Sequence, residues 1–197
     1  MKIFLLLYFS VFIWSAINPK DYFTWFLEVL PALIALLVLA FTYKKFKLTI
    51  LLYTLILIHC IILMIGGHYT YAQVPAFDFI KELFSQDRNN YDKLGHFAQG
   101  FVPAMLAREI IIRKDIISIE TWRNFFIVCF CLAFSAFYEL LEWGVAILSN
   151  ESALDFLGTQ GYIWDTQSDM LWALIGSIVA LLFLRKYHNN ALKKLFN

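Results

Sequence analysis

Three apolar stretches of this 197-residue chain each carry two ionisable residues three or four positions apart: Asp92 with His96, Glu139 with Glu142, and Asp165 with Asp169. On a helix that spacing puts both members of a pair on one face. Carboxylates gathered in a low dielectric cannot all stay ionised and unpaired, so they share protons, bind a cation or pair with a base. The nearby bases are His68, His96 and Lys93, with His59 deeper in the same stretch as His68. Two chemistries fit. A divalent metal held by Asp92, His96, Glu139 and Asp169 would offset several negative charges at once. A proton-sharing cluster would instead do acid–base work, with His96, Glu139, Glu142 and Asp169 as its catalytic groups. His68 and Asp165 complete the expected pocket.

Each residue also has a plainer use. Asp92 would cap a helix by accepting from an early backbone N–H, and Asp165 and Asp169 suit the positive end of a helix dipole. His59, alone among apolar neighbours, fits a hydrogen-bonded packing residue. Glu139 and Glu142 have no such explanation: they interrupt Ala133-Phe134-Ser135-Ala136-Phe137-Tyr138 and Leu140-Leu141 in mid-block, where a charged group implies a site. Arg108 and Glu109 read as interfacial charges on snorkelling stems. Trp143, Trp164 and Trp172 fit an aromatic belt.

The elements that must hold these residues are membrane helices. Hydrophobic residues make up 61% of the chain and charged residues 16%, and the mean hydropathy is +0.68. The apolar residues fall in long blocks, as in spans, and not in one soluble core. A net charge of +1 leaves no basic surplus for nucleic acid. Cys60, Cys129 and Cys131 lie within apolar blocks and form no CxxC pair, so they read as packing residues.

The expected fold is all-α: a single polytopic helix bundle over 1–197 with about six spans, at 3–17, 22–43, 48–65, 93–112, 124–148 and 168–184. The first block, with Trp14-Ser15-Ala16 in place of a small-residue cleavage site, reads as an uncleaved span. Pro31 and Pro103 should kink the second and fourth. Lys44, Lys45 and Lys47, then Arg108, Arg113, Lys114 and Arg123, then Arg185, Lys186, Lys193 and Lys194 mark one side as cytoplasmic, and both termini fall there. The opposite connections are acidic, with Glu151, Asp155, Asp165 and Asp169 in one of them. Every polar pair then lies in the outer third of the membrane. Between spans three and four, Phe77-Asp78-Phe79-Ile80-Lys81-Glu82-Leu83-Phe84 has apolar residues at helical spacing. It reads equally as an amphipathic helix in the interface or as a lid on the protein.

At these residues the chain resembles the bacterial YjdF-like inner-membrane proteins, a family of unknown function. The likeness is carried by Gly66-Gly67-His68-Tyr69-Thr70-Tyr71, by Tyr91-Asp92-Lys93-Leu94-Gly95-His96-Phe97-Ala98-Gln99-Gly100-Phe101-Val102-Pro103, by Ala107-Arg108-Glu109 and by Tyr138-Glu139-Leu140-Leu141-Glu142-Trp143. It continues through Phe156-Leu157-Gly158-Thr159-Gln160-Gly161 and Trp164-Asp165-Thr166-Gln167-Ser168-Asp169-Met170. A fainter similarity is to VanZ-like membrane proteins, whose pattern Asp92, Lys93, His96, Glu139, Asp169 and Gly176 match; Glu142 and Ala173 stand where that pattern has Gln and Asn. The resemblance implies a bacterial inner (cytoplasmic) membrane location, with these polar positions forming one site, and supplies no reaction.

Three functions compete. One is an enzyme at the outer leaflet acting on a lipid or lipid-linked envelope substrate, with or without a divalent metal. Another is an ion- or proton-coupled carrier, for which intramembrane carboxylates are equally apt. The last is a non-catalytic envelope protein whose polar cluster pins helices together.

Overall fold

The structure, a computed structural model, describes residues 2–149 and 160–196. Glu151, Asp155 and the Phe156-Leu157-Gly158-Thr159 part of the family-like motif lie outside the described residues. Seven helices make up the described chain: α1 (Lys2–Ala16), α2 (Tyr22–Thr42), α3 (Ile50–Tyr69), α4 (Pro75–Leu83), α5 (Tyr91–Arg113), α6 (Glu120–Ser149) and α7 (Asp165–Phe196). No strand occurs among the described residues.

Four of the helices, α2, α3, α6 and α7, are long and apolar enough to cross a membrane. α1 is apolar but has only 15 residues. α5 has the length, at 23 residues, but Asp92, Lys93, His96, Gln99, Arg108 and Glu109 make it polar. Its position explains the exception: it packs on α3, α6 and α7, and Asp92, His96, Gln99, Arg108 and Glu109 are all buried. The outer helices do the reverse. Phe125, Phe126, Phe130 and Phe137 on α6, and Leu182 and Phe183 on α7, stand exposed, an apolar surface that only a bilayer would cover.

α5 and α7 cross in backbone contact. A Cβ on Gly100 would lie 1.8 Å from the Ala173 carbonyl oxygen, and one on Gly176 would lie 2.1 Å from that of Phe97. Small residues at such a crossing are how helices approach closely in lipid, where van der Waals packing drives association. Below it, a dry core of Leu52, Tyr53, Ala104, Met105, Ile127, Cys131 and Ala180 joins α3, α5, α6 and α7.

The Gly66–Tyr71 segment packs by the same logic. Gly67 admits α2, since a Cβ there would sit 3.2 Å from Glu28 and Val29. Thr70 and Tyr71 adopt positive φ of 56° and 52°, which turns the chain back so that the Tyr71 ring lies on Gly66 and against Gly95.

α4 answers the question left between interface and lid with some of each. Its Asp78 accepts from Asn89 Nδ2 at 2.8 Å and Phe77 lies edge-on to Tyr91, while Phe79, Leu83 and Phe84 face outward.

Arg108 and Glu109 correct the expectation of snorkelling charges. They are 2% and 0% exposed, in a network at the end of the bundle remote from Asp92. Arg108 Nη1 donates to His188 Nδ1 at 2.7 Å, and Nη2 to Asn189 at 2.7 Å. A guanidinium only donates, so the His188 proton sits on Nε2, 3.0 Å from Glu109 Oε2. Glu109 also accepts from the backbone N–H and hydroxyl of Thr49, at 3.0 and 2.8 Å, and from Arg113 at 2.9 Å. α7 runs past the expected end at 184 because this network and the buried Leu192 hold its last turns on the bundle.

The crossing is testable. Gly100→Val sets a branched side chain against a carbonyl that cannot yield, so a loss at or above the ~1–3 kcal/mol typical of overpacking is expected. Thermal unfolding in detergent should show a large fall in midpoint or loss of the folded protein; an unchanged midpoint would mean the helices do not cross here.

Candidate functional site

The α5–α7 crossing positions the polar residues. His96 precedes Gly100 by four residues and Asp169 precedes Ala173 by four, so each lies one turn from the contact, towards the same end. Asp92 stands a further turn back on α5. His96 Nε2 is 3.3 Å from Asp92 Oδ1 and 3.9 Å from Asp169 Oδ2. Its Nδ1 is 3.0 Å from Gln99 Oε1 and 3.7 Å from Glu139 Oε1 on α6. Asp92, His96, Glu139 and Asp169 are all buried, Asp169 to 3% exposure. One donor atom from each of Asp92, His96 and Asp169 lies within 4.8 Å of the others, close enough to share a metal ion. Among the described residues, Asp169 Oδ1 and Glu139 Oε1 are buried oxygens with no hydrogen-bond partner.

Asp92 and His96 also line a cavity of about 230 Å³ between α2, α3, α5 and α6. Its polar end holds Glu28, Tyr71, Gln99 and Glu142 as well, with His59 along the wall; Pro31, Ala35, Val102 and Leu106 line the apolar remainder. Pro103 belongs to the wall too, and its ring leaves the Gln99 carbonyl without its helical N–H. Glu139 and Asp169 are not in the wall; they stand behind His96. The cluster thus faces two ways, towards the cavity through Asp92 and His96, and towards α7 through Asp169.

Other expected members lie elsewhere. His68 is outside the pocket: its Nδ1 meets the Ser15 carbonyl oxygen at 3.0 Å and its ring stacks near Trp14 and Tyr69. The cause is helix rotation, since Gly66 and Gly67 turn the neighbouring face of α3 to Tyr71 and α2, leaving His68 facing α1. Asp165 is bound by Arg88, which also reaches Asp92 at 3.5 Å. Lys93 donates to Ser168 at 2.8 Å beside the Tyr162 ring.

Some residues of the pocket escape a reading of paired charges. Glu28 is buried and lines the cavity together with Tyr71. Burial first, then the neighbouring Glu28, hold the Tyr71 phenol well above its ordinary pKa, so it stays a donor. The signal was present, because Glu28 is the lone charge between Tyr22 and Thr42. Arg88 had a signal as well, standing four residues before Asp92.

An α-helical bundle with an exposed apolar surface and inward-facing acids is a multi-pass integral membrane protein. The chain belongs to the family described as "Predicted membrane protein (DUF2238)", whose model matches residues 1–190. It is similar to inner membrane protein YjdF of Escherichia coli (strain K12), with 47% identity over 184 residues, 93% of this chain and 88% of that one. No solved structure matches. The YjdF-like resemblance and the inner-membrane location are thereby established, while the VanZ-like correspondence rests on its motif residues alone.

The Arg88–Asp165 pair has a measurable signature. A double-mutant cycle of Arg88→Ala and Asp165→Asn should return a coupling of about 1.5–3 kcal/mol, the range for hydrogen bonds to charged groups. Strictly additive losses in unfolding free energy would separate the two residues.

Proposed function

We propose that this protein is a membrane-embedded enzyme acting on a lipid or lipid-linked envelope substrate, with a divalent metal held by Asp92, His96 and Asp169. The observation that carries this reading is the mutual approach, within 4.8 Å, of one donor atom from each of the three. Gln99 supports it by meeting His96 Nδ1 at 3.0 Å. That contact leaves Nε2 for a metal, the second-shell arrangement typical of histidine ligands. So does charge: Glu28, Asp92, Glu139, Glu142 and Asp169 gather round His96, and with His59 in the cavity wall and Arg88 at Asp92 the acids are still in excess, an excess that a cation or shared protons must offset. A metal at this point would act as a Lewis acid on a carbonyl or phosphoryl oxygen. Glu139, 3.7 Å from His96, and Glu142, in the cavity wall, are the acid–base candidates.

In this reading α1, α2, α3, α5, α6 and α7 make six crossings, with both termini in the cytoplasm and the site near the outer face. Support comes from charge placement. Lys44, Lys45, Lys47, Arg113, Lys114, Arg123, Arg185 and Lys186 all fall at the ends of the helices remote from Asp92, the side that the positive-inside rule assigns to the cytoplasm. A fluorescent protein fused to the C-terminus should therefore fluoresce; alkaline phosphatase activity from the same fusion point would reverse the topology.

A carrier is less well supported. The apolar layer of Leu52, Ala104, Met105, Ile127 and Ala180 lies between the site and the Arg108–Glu109–His188 network, whereas a carrier needs a polar route past that depth.

Elemental analysis of the purified protein tests the metal. About one divalent ion per chain is expected in wild type and in His68→Ala, and a loss of at least tenfold in His96→Ala and Asp169→Asn with the fold retained. Equal content in wild type and His96→Ala would end the metal reading. Variants that never fold would favour a purely structural cluster.

A further inference from the structure

The cavity that receives Asp92 and His96 is mostly apolar, and a second cavity lies directly behind it. This one, about 310 Å³, is bounded by α1, α2 and α3 and lined by residues such as Phe4, Leu36, Ala40 and Leu57. Leu39, Ile56 and Cys60 line both cavities. The two cavities adjoin at these side chains, and side chains in packed interiors do hop between rotamers. Together the volumes fall within the range of ligand pockets, roughly 300–1,000 Å³.

The first cavity also has a side opening. α2 and α6 form opposite walls yet make no substantial contact with each other among the described residues. Val38 on α2 and Phe134 on α6 line the cavity and are at the same time 52% and 40% exposed. The gap they flank lies on the lipid-facing surface of the bundle, at a depth where the surrounding medium is hydrocarbon tails.

We propose that the two cavities form a channel for one acyl chain of a bilayer glycerophospholipid, which enters sideways between α2 and α6, extends past Leu39 and Ile56 towards α1, and leaves its headgroup at the Asp92–His96 end. The assignment to an acyl chain follows from what the gap opens on, since acyl tails are the solvent there. A tail that moves from lipid into an apolar cavity gains little from burial, because it leaves no water behind. Selection must therefore come from the polar end, where Glu28, Tyr71, Gln99 and Glu142 meet the headgroup. The proposal rests on the reading of that end as a lipid site, and it is independent of the metal.

Photocrosslinking tests it. The full-length protein is placed in nanodiscs containing phosphatidylethanolamine with a diazirine at the end of one acyl chain, and the labelled peptides are mapped by mass spectrometry. The terminal probe should label the Leu36–Ala40 and Leu57 region; a mid-chain probe should move the label to Ala35, Val102 and Leu106. Ala35→Trp, which fills the first cavity, should lower both yields at least fivefold. Ala40→Trp should lower only the terminal label, and it serves alone if Ala35→Trp does not fold. Labelling of this pattern in a wild-type protein that purifies without a divalent ion would sink the metal-enzyme reading and leave the channel standing. Labels spread over Phe125, Phe126, Leu182 and Phe183 and indifferent to both tryptophans would overturn the channel. So would displacement of the label by equimolar polyprenyl phosphate but not by excess unlabelled phospholipid, which would replace the acyl chain with an isoprenoid.

Discussion

The backbone contact of α5 with α7 is the constraint on which the rest depends. Gly100, Ala173 and Gly176 allow the two helices to meet without intervening side chains. His96 and Asp169, a turn away from that contact, then have no choice but to face each other. A larger residue at either glycine would push the helices apart and carry His96 and Asp169, now 3.9 Å from each other, out of reach of a shared proton or ion. The small residues thus set the dimensions of the site without touching it. They also explain why α5, the least apolar long helix, tolerates its position: enclosed by α3, α6 and α7, its polar groups meet partners and not lipid.

The acids contribute in the opposite sense. Buried carboxylates with unfilled oxygens are destabilising unless something compensates, and the bundle handles its two polar clusters differently. At one end, both oxygens of Glu109 are engaged, by Thr49, Arg113 and His188, and Arg108 Nε is a buried atom of that network left without a hydrogen bond among the described residues. At the other, Asp169 and Glu139 retain oxygens without hydrogen-bond partners among the described residues. The contrast is between one acid whose oxygens are all met and two that each keep an unmet oxygen in a low dielectric, where an unpaired polar group is most costly.

Much of this was legible in the sequence. Since burying a backbone in lipid permits little else, the apolar blocks gave the long helices to within a few residues, save the end of α7, which runs to Phe196 and not to 184. The three- and four-residue spacings placed Asp92 and His96 on one face, as observed. What the spacings could not supply was rotation. His68 follows a turn of small residues whose open face was taken by Tyr71, and nothing local to the sequence says which neighbour fills a glycine. Arg108 and Glu109 misled for a related reason: charges near a helix end usually reach for water, and only the fold reveals that His188 comes back to meet them. Glu28 was visible as a lone charge, yet a single residue has no spacing to argue from.

Asn89 joins three parts of the molecule. Its backbone exchanges hydrogen bonds with Gln160, and its amide nitrogen holds Val74 and Asp78. Its amide oxygen accepts the Tyr91 N–H at the first turn of α5. Helix α4, with Phe79 and Leu83 turned outward, is therefore geared to the helix that carries Asp92 and His96. One side chain thus fixes the angle between the outward-turned α4 and the first turn of α5.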